Sequence, residues 1–234
     1  MDSASLSLII PCLNESGIVH ERLTALQAMR QAGHELILVD GGSSDDTQAI
    51  AAPLADQLLE SDPGRARQMR LGARSAQGKV LWFLHLDTEL PPGAEAQVLE
   101  VGCTGGWGRF DVRLTGRHLV FRVIERMMNL RSCLTGIATG DQAIFVHRDL
   151  YFSVHGFPDI PLMEDIALSR RLKHRRRPVC ARLTLLSSSR RWESQGILRT
   201  VFLMWYLRLA YFLGANPAYL ARLYRSCGTR ALGS

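Results

Sequence analysis

The feature of this sequence that most constrains its fold is a regular alternation of short apolar runs with longer amphipathic segments. Leu6 to Ile10 and Glu35 to Val39 are runs of strand length. Continuous apolar runs of this kind are typical of strands buried on both faces of a parallel sheet. Between them, residues 18–29 carry apolar side chains at helical spacing, and Gly33 follows as a stop signal. The N-terminal region is therefore predicted to be a βαβ unit.

The same alternation continues along the chain and indicates one α/β domain. Further strands are predicted at residues 57–59, 80–86, 107–114 and 143–146. Helices are predicted after Ser44, after Pro91-Pro92, and over residues 65–75, 118–133 and 163–177. Strands that alternate with helices form a mostly parallel sheet flanked by helices, a Rossmann-like arrangement. With 234 residues, 47% of them hydrophobic, the chain can build one such core.

The end of the chain has a different character. We expect residues 1–195 to form the α/β domain and residues 196–234 a helical extension. Ile197 to Leu213 is apolar and aromatic, but Arg199 and Arg208 interrupt it. The segment is shorter than the roughly 20 residues that a membrane-spanning helix needs. It is compatible with a cover over the sheet, a homodimer interface, or a peripheral contact with an anionic membrane.

Charge and cysteine content narrow the expected partners and compartment. The formal net charge of +6 favours anionic ligands such as nucleotides, diphosphates or acidic lipid head groups. We expect no nucleic-acid partner. The five cysteines are widely spaced without a C-x-x-C pair, so reduced thiols are expected. The N-terminus has no basic region before its apolar run, unlike a signal peptide. These features predict a cytoplasmic protein, with the inner face of the membrane as the alternative location.

Acidic residues follow the predicted strands. In an open parallel sheet, ligands bind outside the carboxyl ends of the strands. Glu15 comes soon after the first strand, Asp40 ends the second, and Asp87 follows the strand at residues 80–86. Asp40 precedes two glycines, which allow close approach to the backbone, and its carboxylate could accept hydrogen bonds from a base or ribose. An ordinary Gly-Ser-Asp turn is the alternative explanation for Asp40.

Asp87 is the strongest candidate for a metal ligand. An acid beside a buried strand must be solvated, paired or metal-bound, because burying a bare carboxylate is costly. Mg²⁺ or Mn²⁺ takes oxygen ligands, and diphosphate oxygens and waters can complete a site with one or two carboxylates. The alternative is that Asp87 caps the helix after Pro91-Pro92. The sequence therefore predicts a divalent metal, Mn²⁺ or Mg²⁺, at this position.

Two of the predicted helices begin with polar residues. Glu164 and Asp165 stand at the start of the helix over residues 163–177, where acids also stabilise a helix through its dipole. Arg65 and Gln68 share one side of the helix over residues 65–75 and could reach an anionic donor. Exposed basic helix faces, however, usually serve solubility.

In combination, these segments resemble glycosyltransferase family 2, whose members have the GT-A fold. The matching segments are IIPCLNE, VDGGSSDDT, FLHLDTEL, GDQAIFVHRDLY, MEDIALSRRL and SRRWE, from residue 9 to about residue 193. Within the family, the GRARQM and F-L-H-x-D-T segments resemble the bacterial branch described as radical-SAM/selenodomain-associated transferase 2. The resemblance implies transfer of a sugar from a nucleotide-diphospho-sugar, most naturally a UDP-sugar, to an acceptor hydroxyl.

The resemblance also implies roles for individual residues. Asp40 would contact the uracil or ribose of the donor, and Asp87 corresponds to the last acid of the metal-binding D-x-D motif. His85 replaces the first acid of that motif and is a second candidate metal ligand. The nucleotide pocket would be lined by the residues that follow the first strand, Pro11, Asn14 and Glu15.

On the acceptor side, the resemblance makes Asp165 the catalytic base, beside Glu164. It places five further residues near the acceptor or the diphosphate: Asp141, Gln142, Arg190, Arg191 and Trp192. The Q-x-x-R-W motif of processive relatives is not met, because serines and Arg190 precede Arg191. The resemblance does not identify the acceptor, which is a saccharide, a lipid or another small molecule.

The implied chemistry is an inverting single displacement, in which Asp165 accepts the proton of the acceptor hydroxyl that attacks the anomeric carbon. A metal held by Asp87 would stabilise the leaving diphosphate as a Lewis acid. Two other functions stay open. A nucleotidyltransferase would be expected to have a Gly-rich basic loop after its first strand, which IIPCLNE is not. A non-catalytic binder of sugar nucleotides is disfavoured by the intact Glu164-Asp165 pair.

Overall fold

A seven-stranded sheet lies at the centre of the part of the chain that the computed structural model describes, residues 5–229. The side chains of residues 190, 191, 195 and 227–229 lie outside that description. The sheet order is β3-β2-β1-β4-β6-β5-β7, and β6 is antiparallel to both of its neighbours. The strands are β1 (Leu6–Cys12), β2 (Glu35–Asp40), β3 (Gln57–Glu60), β4 (Val80–Phe83), β5 (Trp107–Leu114), β6 (Phe145–His147) and β7 (Val179–Ser187).

Helices connect these strands and extend beyond them. They are α1 (Ser16–Ala25), α2 (Gln27–Gln31), α3 (Thr47–Ala51), α4 (Arg65–Ser75), α5 (Ala94–Cys103), α6 (Leu119–Thr135), α7 (Arg148–Ser153), α8 (Glu164–Arg175), α9 (Arg190–Gln195), α10 (Ile197–Phe212) and α11 (Pro217–Thr229). The predicted α/β architecture, with a mostly parallel sheet flanked by helices, is confirmed.

The core consists of two apolar layers, one on each face of the sheet. Successive residues of β1 point to opposite faces, so Ile10 packs in the layer that contains Val19 of α1 and Val98 of α5. Ile9 packs in the other layer, with Met69 of α4 and further residues of α7 and α8. Burial of each such side chain stabilises the fold by about 1.5–3 kcal/mol. The prediction that the first two strands are buried on both faces is confirmed.

Several boundaries differ from the sequence-based expectations. The strand predicted at residues 80–86 ends at Phe83, because a turn follows in which the amide of Thr88 donates to the carbonyl of His85 at 3.1 Å. The first predicted helix is divided into α1 and α2 at Leu26. Strand β7 was not predicted, because it lies at the edge of the sheet beside β5 and alternates irregularly between buried and exposed residues. Helices α7 and α9 were not predicted either, whereas α11 lies within the helical extension expected over residues 196–234.

Two cysteines correct the expectation of reduced thiols. Cys133 of α6 and Cys180 of β7 form a disulfide, with their Cα atoms 5.8 Å apart. The pairing joins residues 47 positions apart in sequence, so spacing gave no sign of it. Cys12 and Cys103 are free, and the side chain of Cys227 lies outside the described part. Cysteine usage therefore no longer supports a reducing compartment.

The C-terminal helices pack against the start of α8. Leu207 of α10 and Leu220 of α11 are fully buried in an apolar cluster with Met163 and Ile166. The extension therefore contacts the helix that begins with the Glu164-Asp165 pair. Within residues 5–229, no helix combines the length and the apolar content needed to cross a membrane.

Candidate active site

A cleft of about 750 Å³ opens at the carboxyl ends of β1 and β4, in the size range of small-molecule sites. Its walls come from the start of α4, the start of α8, the loop at residues 159–162, and α11. Most of the polar residues predicted for donor and metal binding line it. The predicted residues that it brings together are Pro11, Glu15, Arg65, Gln68, His85, Asp87 and Glu164.

Asp40 is fully buried at the end of β2 and holds the loop that follows this strand. Its Oδ2 accepts hydrogen bonds from the amides of Gly42 (2.9 Å) and Ser43 (2.7 Å) and from Nε2 of Gln48 (2.8 Å). Its Oδ1 accepts from the Ser43 hydroxyl and, at 3.5 Å, from Sγ of Cys12. Burial raises the pKa of Asp40, but the hydrogen bonds from Ser43 and Gln48 outweigh it and lower the pKa overall. The carboxylate is thus ionised and occupied by the loop that follows it.

The loop after β1 is fastened to the loop after β2. Asn14 adopts a left-handed backbone with φ of 53°, and its Oδ1 accepts from the amide of Ser44 at 2.9 Å. The amide of Glu15 donates to the Thr47 hydroxyl at 2.8 Å. Asn14 is exposed and does not line the cleft, whereas Glu15 does. Asn14 therefore holds the loop that presents Glu15.

Helix α4 begins at the cleft and lies close to the sheet. A Cβ atom at Gly72 would stand 2.5 Å from Cγ2 of Ile9, so only glycine permits this approach. Gln68 is buried, and its Nε2 donates to the carbonyls of Cys12 (2.8 Å) and Val39 (2.9 Å), which ties α4 to the ends of β1 and β2. These contacts fix the first turn of the helix, which carries Arg65.

Arg65 is one of the cationic residues that line the cleft. The cleft walls surround its side chain, which nevertheless stays accessible to solvent because it faces the opening. Desolvation by those walls lowers the pKa of Arg65, but the negative charges of Asp141 and Glu164 outweigh it and raise the pKa overall. A permanently charged guanidinium beside acids is suited to binding a diphosphate.

Asp87 lies in the turn after β4 and faces the cleft. Within the described residues, its carboxylate takes part in no hydrogen bond and no ion pair. The alternative that it caps the next helix does not hold, since the N-cap of α5 is Gly93 and no side chain caps it. A partly exposed, uncompensated carboxylate in a cleft is free to bind a cation.

Three sequence segments meet at His85. Its Nδ1 lies 3.3 Å from Oδ1 of Asp141, and its Nε2 lies 2.7 Å from where a Cβ of Gly140 would stand. The amide of Gly140 in turn donates to Oδ2 of Asp165 at 2.9 Å. The turn that carries His85 and Asp87, the Gly140-Asp141 turn and the Glu164-Asp165 pair are therefore connected to one another. Because both ring nitrogens of His85 face protein groups, Asp87 is the better-placed metal ligand.

The acid pair is split between two environments at the start of α8. Glu164 is 8% exposed and lines the cleft, whereas Asp165 is half-buried and binds the amides of Gly140 and Ile166. Burial, followed by the charge of Asp165, raises the pKa of Glu164 to about 7. The preceding residue, Met163, has φ of 70°, a left-handed conformation that costs a non-glycine residue roughly 1–2 kcal/mol. Such strain is typical of functional sites.

Two of the predicted acceptor residues, Gln142 and Trp192, do not line the cleft. Gln142 is fully buried, and its Oε1 accepts from the amide of Thr139 at 3.2 Å in a capping box, so its side chain has no surface for an acceptor. Trp192 packs beside the apolar cluster of Leu114, Phe121 and Ile124. The side chains of Arg190 and Arg191 lie outside the described part of the structure.

The sequence predictions also missed part of the cleft wall. Tyr224 and Arg225 of α11 line the cleft, together with Ala221 on the same helix face. Asp159 to Leu162 forms another part of the wall. The spacing of Ala221 and Tyr224 fits one helix face, but nothing in the sequence shows that this helix returns to the sheet.

The residues present fit a divalent metal with few protein ligands. Within residues 5–229, no three His, Cys, Asp or Glu side chains are grouped closely enough to hold a metal by themselves. Asp87 offers one uncompensated carboxylate, and Mg²⁺ or Mn²⁺ sites on phosphate substrates commonly use one or two. The donor set is therefore suited to a metal that arrives with an anionic ligand.

Residues 7–102 match the family model of Glycosyl transferase family 2. An uncharacterized glycosyltransferase of Mycobacterium tuberculosis is 31% identical over 165 residues, covering 65% of this chain and 62% of the relative. The PGL/p-HBAD biosynthesis glycosyltransferase of Mycobacterium bovis is 36% identical over 97 residues, or 38% of each chain. The chain thus spans less than two thirds of these relatives. The match to the family model is thus confined to residues 7–102, and the relatives that resemble a longer part of the chain are described as glycosyltransferases.

Two solved structures are similar to the described fold. The glucosyl-3-phosphoglycerate synthase of M. tuberculosis, in complex with Mn²⁺, UDP and glucosyl-3-phosphoglycerate, has a TM-score of 0.60 at 20% identity, covering 77% of this chain and 70% of that one. A mannosyltransferase from Pyrobaculum calidifontis, in complex with GDP-Man and Mn²⁺, has a TM-score of 0.63 at 18% identity, covering 98% and 72%. This likeness shows that the chain has the predicted GT-A fold.

Proposed function

We propose that this chain is a metal-dependent family 2 glycosyltransferase that moves a sugar from a nucleotide-diphospho-sugar to an acceptor hydroxyl. The observation that carries the proposal is that one cleft gathers Glu15, Arg65, Asp87 and Glu164 from four separate segments. Structural neighbours bind UDP or GDP-Man with Mn²⁺, which supports a nucleotide-sugar donor and a divalent metal. A UDP-sugar is the donor that we propose first.

On the donor side, Pro11 and Glu15 would line the nucleotide pocket, and Asp40 would shape it through the loop at residues 41–44. Arg65 would bind diphosphate oxygens and offset their negative charge. Asp87 would hold the metal, and His85 would orient the turn that carries it. When bound, Mn²⁺ or Mg²⁺ supplies Lewis-acid stabilisation of the departing diphosphate.

On the acceptor side, the acid pair would supply the base. We retain Asp165 as the proton acceptor that the family resemblance implies, held in place by the amide of Gly140. A specific observation favours Glu164 as the alternative, since it lines the cleft with a pKa of about 7, close to the value at which a general base works best. Either residue must come within hydrogen-bond reach of the hydroxyl.

The test is a thermal-shift screen of UDP- and GDP-sugars with and without Mn²⁺ or Mg²⁺, followed by turnover assays. A ligand at 100 times its Kd stabilises the folded state by about 2.7 kcal/mol, which such a screen detects readily. We expect stabilisation that requires both the nucleotide sugar and the metal. If no nucleotide sugar stabilises the protein, the proposal fails. Release of pyrophosphate from a nucleoside triphosphate and a sugar phosphate would instead indicate a nucleotidyltransferase.

Finer aspects are proposed with the same function. We propose the bacterial radical-SAM/selenodomain-associated branch on the GRARQM and F-L-H-x-D-T segments, and an inverting outcome because the acid pair suits a single displacement. For the C-terminal extension, we propose peripheral contact with the cytoplasmic face of a membrane. Exposed apolar residues of α10 support it, namely Leu198, Phe202, Trp205, Leu209 and Phe212. A homodimer built on the same face is the alternative, and analytical ultracentrifugation without lipid distinguishes the two.

A further inference from the structure

A second cavity, of about 300 Å³, lies between α6, α8 and α10 and shares no lining residue with the cleft. It combines positive charge with apolar walls. Its cationic residues are Arg131, Arg170, Lys173 and Arg208. Its other lining residues are Thr135, Ile137, Ile166, Tyr211 and Phe212.

The four cations have little compensation inside the protein. Within the described residues, none of them forms an ion pair with a carboxylate. Arg131 has one long hydrogen bond, from Nη1 to the carbonyl of Ile137 at 3.5 Å, and its Nη2 is buried without an acceptor. Lys173 donates to the carbonyl of Thr135 at 3.2 Å. A buried donor without a partner is destabilising, so a ligand that brings an acceptor to Nη2 of Arg131 would bind favourably here.

The charges also act on each other. Burial, followed by the charge of Arg208, lowers the pKa of Arg131 to about 10. Burial likewise lowers the pKa of Arg208, and the charge of Asp165 opposes this effect for both residues. The single negative charge of Asp165 therefore offsets only part of the positive charge of Arg131 and Arg208. An anion in the cavity would relieve the repulsion and satisfy Nη2 of Arg131.

We propose that this cavity binds a phosphate group of a ligand other than the nucleotide donor. Two guanidinium groups present planar donor pairs that match phosphate oxygens, and an additional lysine and arginine suit a doubly charged anion better than a carboxylate. The aromatic rings of Tyr211 and Phe212 and the side chains of Ile137 and Ile166 offer an apolar surface beside it. The ligand class is therefore a phosphate ester with an apolar portion.

Such a phosphate group belongs either to a lipid or to a water-soluble ester. The neighbouring helices carry exposed apolar residues at helical spacing. On α6 these are Leu119, Val123, Met127, Leu130 and Leu134, and on α10 they include Phe202, Trp205 and Leu209. Both sources present the same phosphate chemistry to the arginines, so the experiment has one arm for each.

The first arm measures binding of inorganic phosphate to the full chain by calorimetry, without nucleotide or metal and at constant ionic strength. The second measures co-flotation with phosphatidylcholine vesicles that contain phosphatidic acid, against phosphatidylcholine alone. In whichever arm the native protein binds, we expect Arg208→Gln and Arg131→Gln to weaken binding by about tenfold or more. Each variant loses a charge-assisted hydrogen bond to the phosphate group. Arg126→Gln, an exposed position on α6, removes the same charge outside the cavity and should change binding little.

The outcomes separate the sources and the sites. Phosphate binding that the cavity variants lose supports a soluble ligand, and vesicle binding alone with the same loss supports a lipid. Native protein that binds neither probe, or cavity variants that bind as well as the native protein, would overturn the proposal. Binding lost in Arg65→Gln but kept in Arg208→Gln would assign it to the cleft and also overturn it. None of these readouts depends on sugar transfer, so failure here leaves the proposed glycosyltransferase activity intact.

Folding of the variants has its own check. Removal of Arg208 relieves its repulsion with Arg131, so Arg208→Gln should have a higher Tm than the native protein in phosphate-free buffer. Added phosphate should reduce this difference in Tm, because it stabilises the native protein more. If both buried variants fail to fold, Arg170→Gln is the substitute, because Arg170 is exposed at the cavity edge. Unchanged binding in a folded Arg170→Gln would then count against the site.

Discussion

The two sides of the cleft are built in different ways. The donor side consists of the start of α4, which carries Arg65, and of loops that directly follow β1, β2 and β4, and the sheet hydrogen bonds fix where each loop begins. The other side consists of the starts and faces of α8 and α11, brought together by the apolar cluster of Met163, Ile166, Leu207 and Leu220. Donor chemistry is therefore encoded locally, next to strand ends, whereas the opposite wall depends on tertiary packing.

Replacing Asp87 tests the donor side at its most sensitive point. Asp87→Ala removes the uncompensated carboxylate that we propose as metal ligand, while it removes no hydrogen bond within the described structure. A metal supplies several kcal/mol of transition-state stabilisation, so turnover should fall by about a thousandfold. Metal-dependent thermal stabilisation by the nucleotide sugar should disappear. The free protein should keep its Tm.

The matched control is Glu100→Ala, which removes an exposed acid on α5, the helix that follows the same turn. It should retain both turnover and metal-dependent stabilisation. Equal losses in the two variants would indicate a general charge effect. Full metal dependence in Asp87→Ala would break the assignment of the metal to the donor side.

Glu164 tests the wall opposite the metal. Its raised pKa of about 7 predicts that turnover rises with pH through neutrality if it acts as base, and that Glu164→Gln loses about a hundredfold in kcat. If Asp165 is the base, Asp165→Asn should suffer the larger loss and Glu164→Gln should keep most activity. The pH profiles of kcat for both variants distinguish the two assignments.

Glu164 also predicts a pH effect on stability. Its folded-state pKa lies above the ordinary value of 4.5, so the folded protein binds more protons than the unfolded chain between these values. Stability from this group is therefore present below pH 4.5 and is lost as the pH rises through about 7. The loss is of the order of 3 kcal/mol, and Glu164→Gln should abolish that part of the pH dependence. Urea unfolding at several pH values measures it, and parallel curves for the two proteins would contradict it.

Gly140 tests the connection between the two sides. In Gly140→Ala, the new methyl group would meet Nε2 of His85 at 2.7 Å, so the ring must move away from the turn that carries Asp87. A shift of a fraction of an ångström in a catalytic group should lower kcat/KM by about tenfold. Gly17→Ala is the matched control, because a Cβ there meets no atom within 4 Å, and it should be neutral or slightly stabilising. Native activity in Gly140→Ala would show that the two sides are not coupled through His85.

The difference between the two sides also explains what could be predicted from the sequence. Periodicity identified strands β1, β2 and β4, and it also showed that Asp40 and Asp87 lie at or just after strand ends. These features could be predicted because each depends on residues close by in the sequence. Whether the carboxylate of Asp40 faces a ligand or its own loop depends on five hydrogen bonds that no pattern reveals. The site roles themselves stay predictions.

Features that depend on distant contacts were not predictable in the same way. The Cys133–Cys180 bond, the edge strand β7 and the burial of Gln142 each result from packing between segments far apart in the chain. Helix α11 is the clearest case, because an amphipathic segment at the end of a chain does not indicate which surface it will cover. Its contribution to the cleft has to be measured.

Replacement of Tyr224 tests the contribution of α11 to the cleft. Of the variants discussed, it should have the smallest effect. Tyr224 lines the cleft within electrostatic range of Arg65, so Tyr224→Ala should loosen the placement of that guanidinium. We expect donor affinity in the presence of Mn²⁺ to fall by about threefold, the loss of less than one hydrogen bond. Tyr219→Ala is the control, since Tyr219 is 52% exposed on the same helix and does not line the cleft. If calorimetry gives both variants the native affinity, α11 only covers the site, and donor binding depends on the strand-end loops and on Arg65 of α4 without help from α11.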